Sequence, residues 1–324
     1  MKKLLLVIPI LLLACKETTH KDNAMNDEQF EAKKYRLAYN VLFDGENDNY
    51  EVFSMNLDGG DKKNITQLPG VEWTYNAAGK DLYVISDKDT AHRHYFLYRT
   101  DAVGSKYEKV LDVRLSDSWI GSRKGGTELI VEPHRTVDTA FYLIDFKGKI
   151  LDTIEIDLPY FNDPHFSPDG TKIVFRGALK PFKKDSGYLD ELYIMNADGS
   201  NLQQLTHYPK ADTTAKWHNY HAGPPRWHPT KDFISYQSVQ KGRSTLFAIS
   251  PDGSKQWQLF KQDSLNQGWH DWSSDGKWLA IEVFNLERTE FDIQLVNWET
   301  KEVKILTDTT YTYDQAPVFV EVED

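Results

Sequence analysis

Two phrases recur in alternation along the chain, and the first repeat lacks the strand that opens the others. These observations predict an all-β protein of six four-stranded antiparallel sheets, set as blades in a ring that the C-terminal strand closes. The first phrase is clearest as FSPDGTKIVF (166–175): an aromatic residue, a Ser-Pro-Asp-Gly turn, a lysine and a β-branched run. Looser copies begin at Tyr75, Ser122, Trp227 and Trp272. The second phrase is clearest as LYIMNADGSNLQQLT (192–206). It returns at 52–66, 96–110, 141–154, 246–260 and 293–307, spaced by roughly fifty residues.

Taken in chain order, residues 1–14 carry Lys2 and Lys3 and then an apolar run from Leu4 to Ala14, too short to span a bilayer as a helix. That is the pattern of a signal peptide. It ends Leu12-Leu13-Ala14-Cys15, which resembles a bacterial lipobox and implies that Cys15 is acylated and anchors the chain by lipid. Cys15 is the only cysteine, so disulfides are excluded despite the exported context. Residues 15–34 are polar, with too little apolar surface to fold alone, and read as a tether.

Residues 35–324 form the ring. Within each repeat, β-branched and aromatic runs make strands A to D, and Asp-Gly pairs make the tight turns. The first repeat opens at Tyr35-Arg-Leu-Ala-Tyr39, already a strand B; its missing strand A is supplied by residues 315–322. That pairing removes two exposed sheet edges. The formal net charge of −11 and a pI near 5.4 argue against a nucleic-acid surface. A monomer is expected.

The paired phrases resemble the repeats of the TolB-type six-bladed β-propellers over about residues 35–322, with a weaker similarity to oligogalacturonate lyase propellers. The resemblance implies the propeller fold. TolB carries a further domain before its propeller where this chain has only the tether, so a role in the Tol–Pal system is not expected. Prolyl-oligopeptidase-type enzymes follow their propellers with a hydrolase domain; this sequence shows no such domain and no Gly-x-Ser-x-Gly elbow.

In an up-and-down meander, the start of strand A, the B–C loop and the D–A connection share one face of the ring, here called the loop face. The A–B and C–D turns share the other, the turn face. His92 and His94 fall in the B–C loop of blade 2, His134 in that of blade 3, and His207, His218 and His221 in the long connection 207–223. His165 and His270 are expected at the starts of strand A in blades 4 and 6. His228 falls on the turn face, as a turn cap. Residues 177–191 form a second long loop, and long loops on one side of a rigid scaffold are where binding resides.

Three readings of this face compete. In the first, His165, His221 and His270 hold a divalent transition metal such as manganese or zinc. The resemblance to oligogalacturonate lyases then implies metal-assisted β-elimination on a uronate at the channel mouth. In the second, Trp269, Asp271, Arg226, His92, His94 and His134, with Trp217, Tyr220 and Trp272, bind an envelope protein or glycan without chemistry. In the third, His–carboxylate bonds and tryptophan stacking brace the blades. Aligned on the turn, His165 corresponds to Arg226 and Asp271 whereas His270 corresponds to Pro164, a one-residue offset that flips a side chain across the pleat.

Trp73, Trp119, Trp227 and Trp272 read as blade packing. Asp190-Glu191, beside Lys180, Lys183 and Lys184, reads as a solvated loop. No phosphate loop, zinc-spaced Cys/His pair or Ser–His–Asp set is present, and no catalytic residue is assigned. The expectation is an exported, lipid-anchored binding or scaffold module of the outer membrane, with a metal-dependent lyase as the alternative. Replacing Cys15 with Ser should release the protein into the soluble fraction; a variant that still sediments with membranes rejects the lipobox.

Overall fold

The computed structural model describes residues 35–180, 189–209, 211–216, 218–262 and 264–322. Cys15, the signal and tether segments, Lys183, Lys184 and Trp217 lie outside the described residues. Twenty-four strands pair into six four-stranded antiparallel sheets. Their innermost strands A are Asp314–Glu321, Glu72–Ala78, Gly121–Arg123, Tyr160–Phe166, Arg226–Trp227 and Asn266–Trp272, for blades 1 to 6 in turn. One 3-10 turn, Lys124–Gly126, occupies the A–B corner of blade 3.

The tight turns follow from the phrases that encode them. In FSPDG, the Ser167 hydroxyl donates to Asp169 at 2.6 Å and accepts from the Lys172 amide at 2.9 Å, while Gly170 takes φ +69°. That left-handed backbone is the reason for glycine there. The same clamp recurs at Ser250/Asp252 and Ser273/Asp275. Blade 5 replaces the serine with His228, whose Nδ1 accepts the Thr230 and Lys231 amides at 3.2 and 3.0 Å, the turn cap its position suggests. Burial pushes the His228 imidazole down to about 4, so it stays an acceptor at neutral pH.

The threonine ending the second phrase has a comparable role. Thr66, Thr206 and Thr307 each accept the amide of a residue in the first half of strand C (Val52, Leu192, Ile293) and donate to the carboxylate fifteen residues before them, Glu51, Glu191 and Asp292. The clasp ties the outermost strand of blades 1, 4 and 6 to its neighbour where only two or three residues of ladder pair them. Glu191 is therefore buried and bonded rather than solvated, and Asp190 beside it is buried against Arg176 at 3.3 Å. This corrects the solvated-loop reading of that pair. The lysines drew the reading outward, while the partners come from sequence-distant strands.

The apolar core divides into six clusters, one at each blade junction. Alternate residues of each strand B serve opposite neighbours: Ile173 and Phe175 pack toward blade 3, while Val174 packs toward blade 5. Closure is direct. Tyr35, Arg36, Leu37 and Ala38 pair with Glu321, Val320, Phe319 and Val318. Blade 1 is thus built from both ends of the described chain.

Strand A departs from the expected outline. It starts well before His165 and His270, which lie at the sixth and fifth positions of their seven-residue strands, toward the turn face. The cause is a bulge inside the strand: pairing shifts between Asn162 and His165 and between Gln267 and His270, and again at Thr74/Asn76 in blade 2. Asp163 sits in the first bulge at φ +59°. An inserted residue breaks the two-residue period, so the upstream half of the strand does not read as strand.

Deleting residues 314–322 should abolish the cooperative unfolding transition. Val318, Phe319 and Val320 are buried, at roughly 1.5–3 kcal/mol each, against a typical domain stability of about 5–15 kcal/mol. A melting curve unchanged by the deletion rejects closure by this strand.

Candidate functional site

The bulges turn side chains of the inner strands onto the ring axis. Trp269, from the blade 6 bulge, meets Trp73 and Tyr75 of blade 2 and Trp119 of blade 3 edge-on, at centroid distances of 6.5, 6.4 and 6.1 Å. Tyr75 in turn stacks on Trp119 at 4.8 Å. Contacts between blades that are not neighbours can form only across the axis, so these four rings fill it. Gly268 permits the approach, because a Cβ there would fall 2.3 Å from Glu282 Oε1.

Arg226, 3% exposed, completes the plug. Its guanidinium lies 3.8 Å over the Trp119 ring, donates to the Tyr75 carbonyl at 2.9 Å and approaches Asp271 Oδ1 at 3.3 Å. Asp271 Oδ2 accepts the Phe319 amide at 3.0 Å. One ion pair of blades 5 and 6 thereby touches blades 1, 2 and 3. Burial lowers the Arg226 guanidinium to about 10, and Asp271 holds it against a larger fall. Burial likewise raises Asp271, with Arg226 opposing.

The plug separates two recesses. On the turn face a funnel of about 510 Å3 is lined by the A–B corners, with His165, Arg226 and Asp271 at its floor and Arg123 and Lys124 at its side. His165 Nδ1 lies 2.9 Å from the Phe166 carbonyl and 3.3 Å from the Trp227 amide, and a single tautomer serves only one of them. Burial and then the Arg226 charge push its imidazole down to about 3, so it is neither a base nor an acid of use at neutral pH.

On the loop face a recess of about 300 Å3 is lined by Ser116, Asp117, Glu132, Arg135, Tyr160, Phe161, Asn162 and Asp190. Asp117 accepts the Tyr75 hydroxyl at 2.9 Å, which links this mouth to the plug. Asp163, buried beneath, accepts the Trp119 amide and pairs with Arg176.

The residues singled out from sequence are distributed between these regions. His165, Arg226 and Asp271 come together, as their shared place relative to the turn implies, but at the turn face. His270 points across the pleat to Ser235 Oγ at 2.7 Å, between blades 5 and 6, and burial holds it neutral. His221 is on the loop face, between Tyr220 and Ala222, whose amides bond Val239 and Asp190. The three proposed metal ligands therefore do not share a site, and among the described residues no group of three or more His, Cys, Asp or Glu is disposed around a metal position.

Trp269 is half-buried in the plug. His92 sits on the loop-face rim, with Nε2 2.9 Å from Asp48 of the neighbouring blade, which Arg93 also binds. His94 and His134 are half-buried in adjacent B–C loops, and His134 Nδ1 bonds Thr136 at 2.8 Å. Tyr220 donates to Asp212 within its own connection, and Trp272 is buried, donating to Ser235. The loop-face carboxylates Asp117, Glu132 and Asp163 were not singled out from sequence. No motif marks them, and only the position of Glu132 at the end of a strand B hints at the mouth.

The chain matches no known family model. Among solved structures it resembles TolB from Acinetobacter baumannii, with a TM-score of 0.66 and 12% identity over 89% of this chain and 67% of that one. It also resembles a putative TolB from Agrobacterium tumefaciens, at 0.59 and 16% over 85% and 88%. The fold is that of a TolB-like propeller. Among curated proteins, dipeptidyl-peptidase 5 of Porphyromonas endodontalis is 32% identical over 114 residues, 35% of this chain. The match spans only 15% of that protein's length.

Replacing Arg226 with Ala should cost about 3–5 kcal/mol, because Asp271 is left as an unpaired charge inside the ring. Adding Asp271→Asn, which keeps an acceptor for the Phe319 amide, should recover part of that loss. Denaturant unfolding of the two variants measures both, and a single variant within 1 kcal/mol of the parent rejects the central role given to this pair.

Proposed function

We propose that the chain is a binding module of the bacterial cell envelope, exported and held by lipid on Cys15, and that it recognises a protein or glycan partner at the loop face without transforming it. The filled axis carries this reading. Rings from blades 2, 3 and 6 and the Arg226–Asp271 pair occupy the place where a propeller enzyme would admit a substrate, and Arg226, Asp271 and the Tyr75 hydroxyl are engaged in bonds between blades. The half-buried and exposed groups His92, His94, His134 and Arg135 lie instead on the B–C loops of the loop face that a rigid ring presents, and Arg135 lines the recess there. The likeness to TolB supports the scaffold and leaves the partner open.

A photo-crosslinking residue at Val137, exposed in the blade 3 B–C loop, should trap a discrete envelope adduct in living cells. The same residue at Lys231, exposed in a turn-face corner, should not. An adduct from position 231 alone moves the binding face to the opposite side. The absence of any adduct at either position rejects the binding role.

A further inference from the structure

The loop-face recess contains an arrangement that blade packing does not explain. Three carboxylates line it, Asp117 and Glu132 of the blade 2–3 side and Asp190 of blade 4, and a fourth, Asp163, lies buried beneath. Arg176 is shared between Asp163 and Asp190 and so serves only one side of the recess. Arg135, also in the lining, holds its guanidinium 4.2 Å over the Tyr160 ring and donates to the Pro159 carbonyl at 2.8 Å. Asp117, in the lining, accepts the Tyr75 hydroxyl at 2.9 Å. Glu132 is 6% exposed, lines the recess, and its Oε2 accepts no hydrogen bond. A buried carboxylate oxygen without a donor is costly; Glu72 Oε2 and Asp314 Oδ1 are likewise unpaired, and Glu132 is distinguished by its place in the lining of a recess.

We propose that this recess binds an organic cation, an alkylammonium or guanidinium group, with Glu132 and Asp117 as its counter-ions and the Tyr160 and Phe161 rings as walls for its apolar stem. A cation with several N–H donors supplies what Glu132 Oε2 lacks and what Asp117 has capacity to accept. The ring walls favour a carbon-bearing cation over a bare metal ion, and the carboxylates are not grouped as metal ligands. The inference deepens the binding role proposed above by naming the chemistry of the bound group.

The electrostatics agree. Burial first, and then the Asp163 charge, raise Glu132 to about 8, opposed by the Ser116 and Ser118 hydroxyls and by Arg135. Asp190 is raised to about 6, mainly by burial, with Arg176 opposing and Asp163 and Glu191 adding to the rise; Asp117 is raised by burial and Asp163, opposed by the Tyr75 hydroxyl, Arg93 and Arg176. At neutral pH the empty recess holds a proton on Glu132. A cation displaces it, so binding should release a proton, and affinity should climb by up to tenfold per pH unit from about pH 6 to 8 and level off above.

Calorimetric titration of the whole protein with butylammonium, butylguanidinium and the uncharged isostere butanol tests the proposal. Both cations should bind with proton release at pH 7, seen as a heat that varies with the buffer's ionisation enthalpy, and butanol should not bind. Glu132→Gln should abolish the proton release and weaken both cations at least tenfold. Asp117→Asn should weaken them without removing the release. A lysine- or arginine-containing tripeptide binding more tightly than the free amine assigns the cation to a peptide side chain; equal affinity assigns it to a free amine. Cations that bind no better than butanol, or a Glu132→Gln variant that binds them unchanged, overturn the proposal. Neither result would alter crosslinking from Val137, which reports on the binding face itself.

Discussion

Six sheets that converge on one axis leave a hole, and the pairing of Arg226 with Asp271 is what this ring depends on to fill it. The guanidinium reaches a neighbouring carboxylate, a carbonyl on the opposite blade and the face of an indole, while the carboxylate passes the link on to the closing strand. A buried ion pair is seldom a large net gain over apolar packing. Its contribution here is directional. Apolar clusters at the junctions hold neighbouring blades together but do not specify which residues face across the axis. A planar donor fork with three distinct acceptors does. The bulges matter for the same reason, since without the extra residue in strand A the rings of Tyr75 and Trp269 would not be turned to meet.

Stability away from the axis is assembled repeat by repeat. Blades 4, 5 and 6 close their A–B corners with a side-chain cap, and each blade buries its two faces in two separate clusters. The carboxylate–threonine clasp then secures the short outer strands of three blades. These devices are local in sequence and recur, which is why they leave a readable imprint. The acidic composition is absorbed in part by them: Glu51, Glu191 and Asp292 are bonded to threonine hydroxyls rather than spread over the surface.

The same distinction governs what the sequence disclosed. The six blades, the turns at Gly170 and Gly276 and the closing strand near 315–322 were legible, because each is written as a repeated phrase or its conspicuous absence. The register of His165 with Arg226 and Asp271, and the opposite facing of His270, followed from counting back from the turn. Where strand A begins was not legible, since the bulge residues Asp163 and Trp269 interrupt the alternation that marks a strand. The burial of Asp190 and Glu191 was missed for a different reason: charged residues beside lysines look solvated until their partners on other strands are known. A signal did exist for Glu191. It lies fifteen residues before Thr206, as Glu51 does before Thr66 and Asp292 before Thr307.

The two mouths of the ring differ because of how a meander is wired. The turn face is made of two-strand corners, which are short, so its funnel inherits the regularity of the fold. The loop face collects every long connection, and its carboxylates come from three kinds of position: Asp117 from a D–A connection, Glu132 from the end of a strand B, Asp190 from the approach to a strand C. None belongs to the repeated phrases, and none is needed to form the hairpins. Carboxylates buried together by unrelated segments raise the energy of the folded ring, through burial first and like charge second, as the upward shifts of Glu132 and Asp190 record. The cost is intelligible where a positive group arrives from outside, which is why the proposed cation site lies at the loop-face mouth rather than in the histidine-bearing funnel.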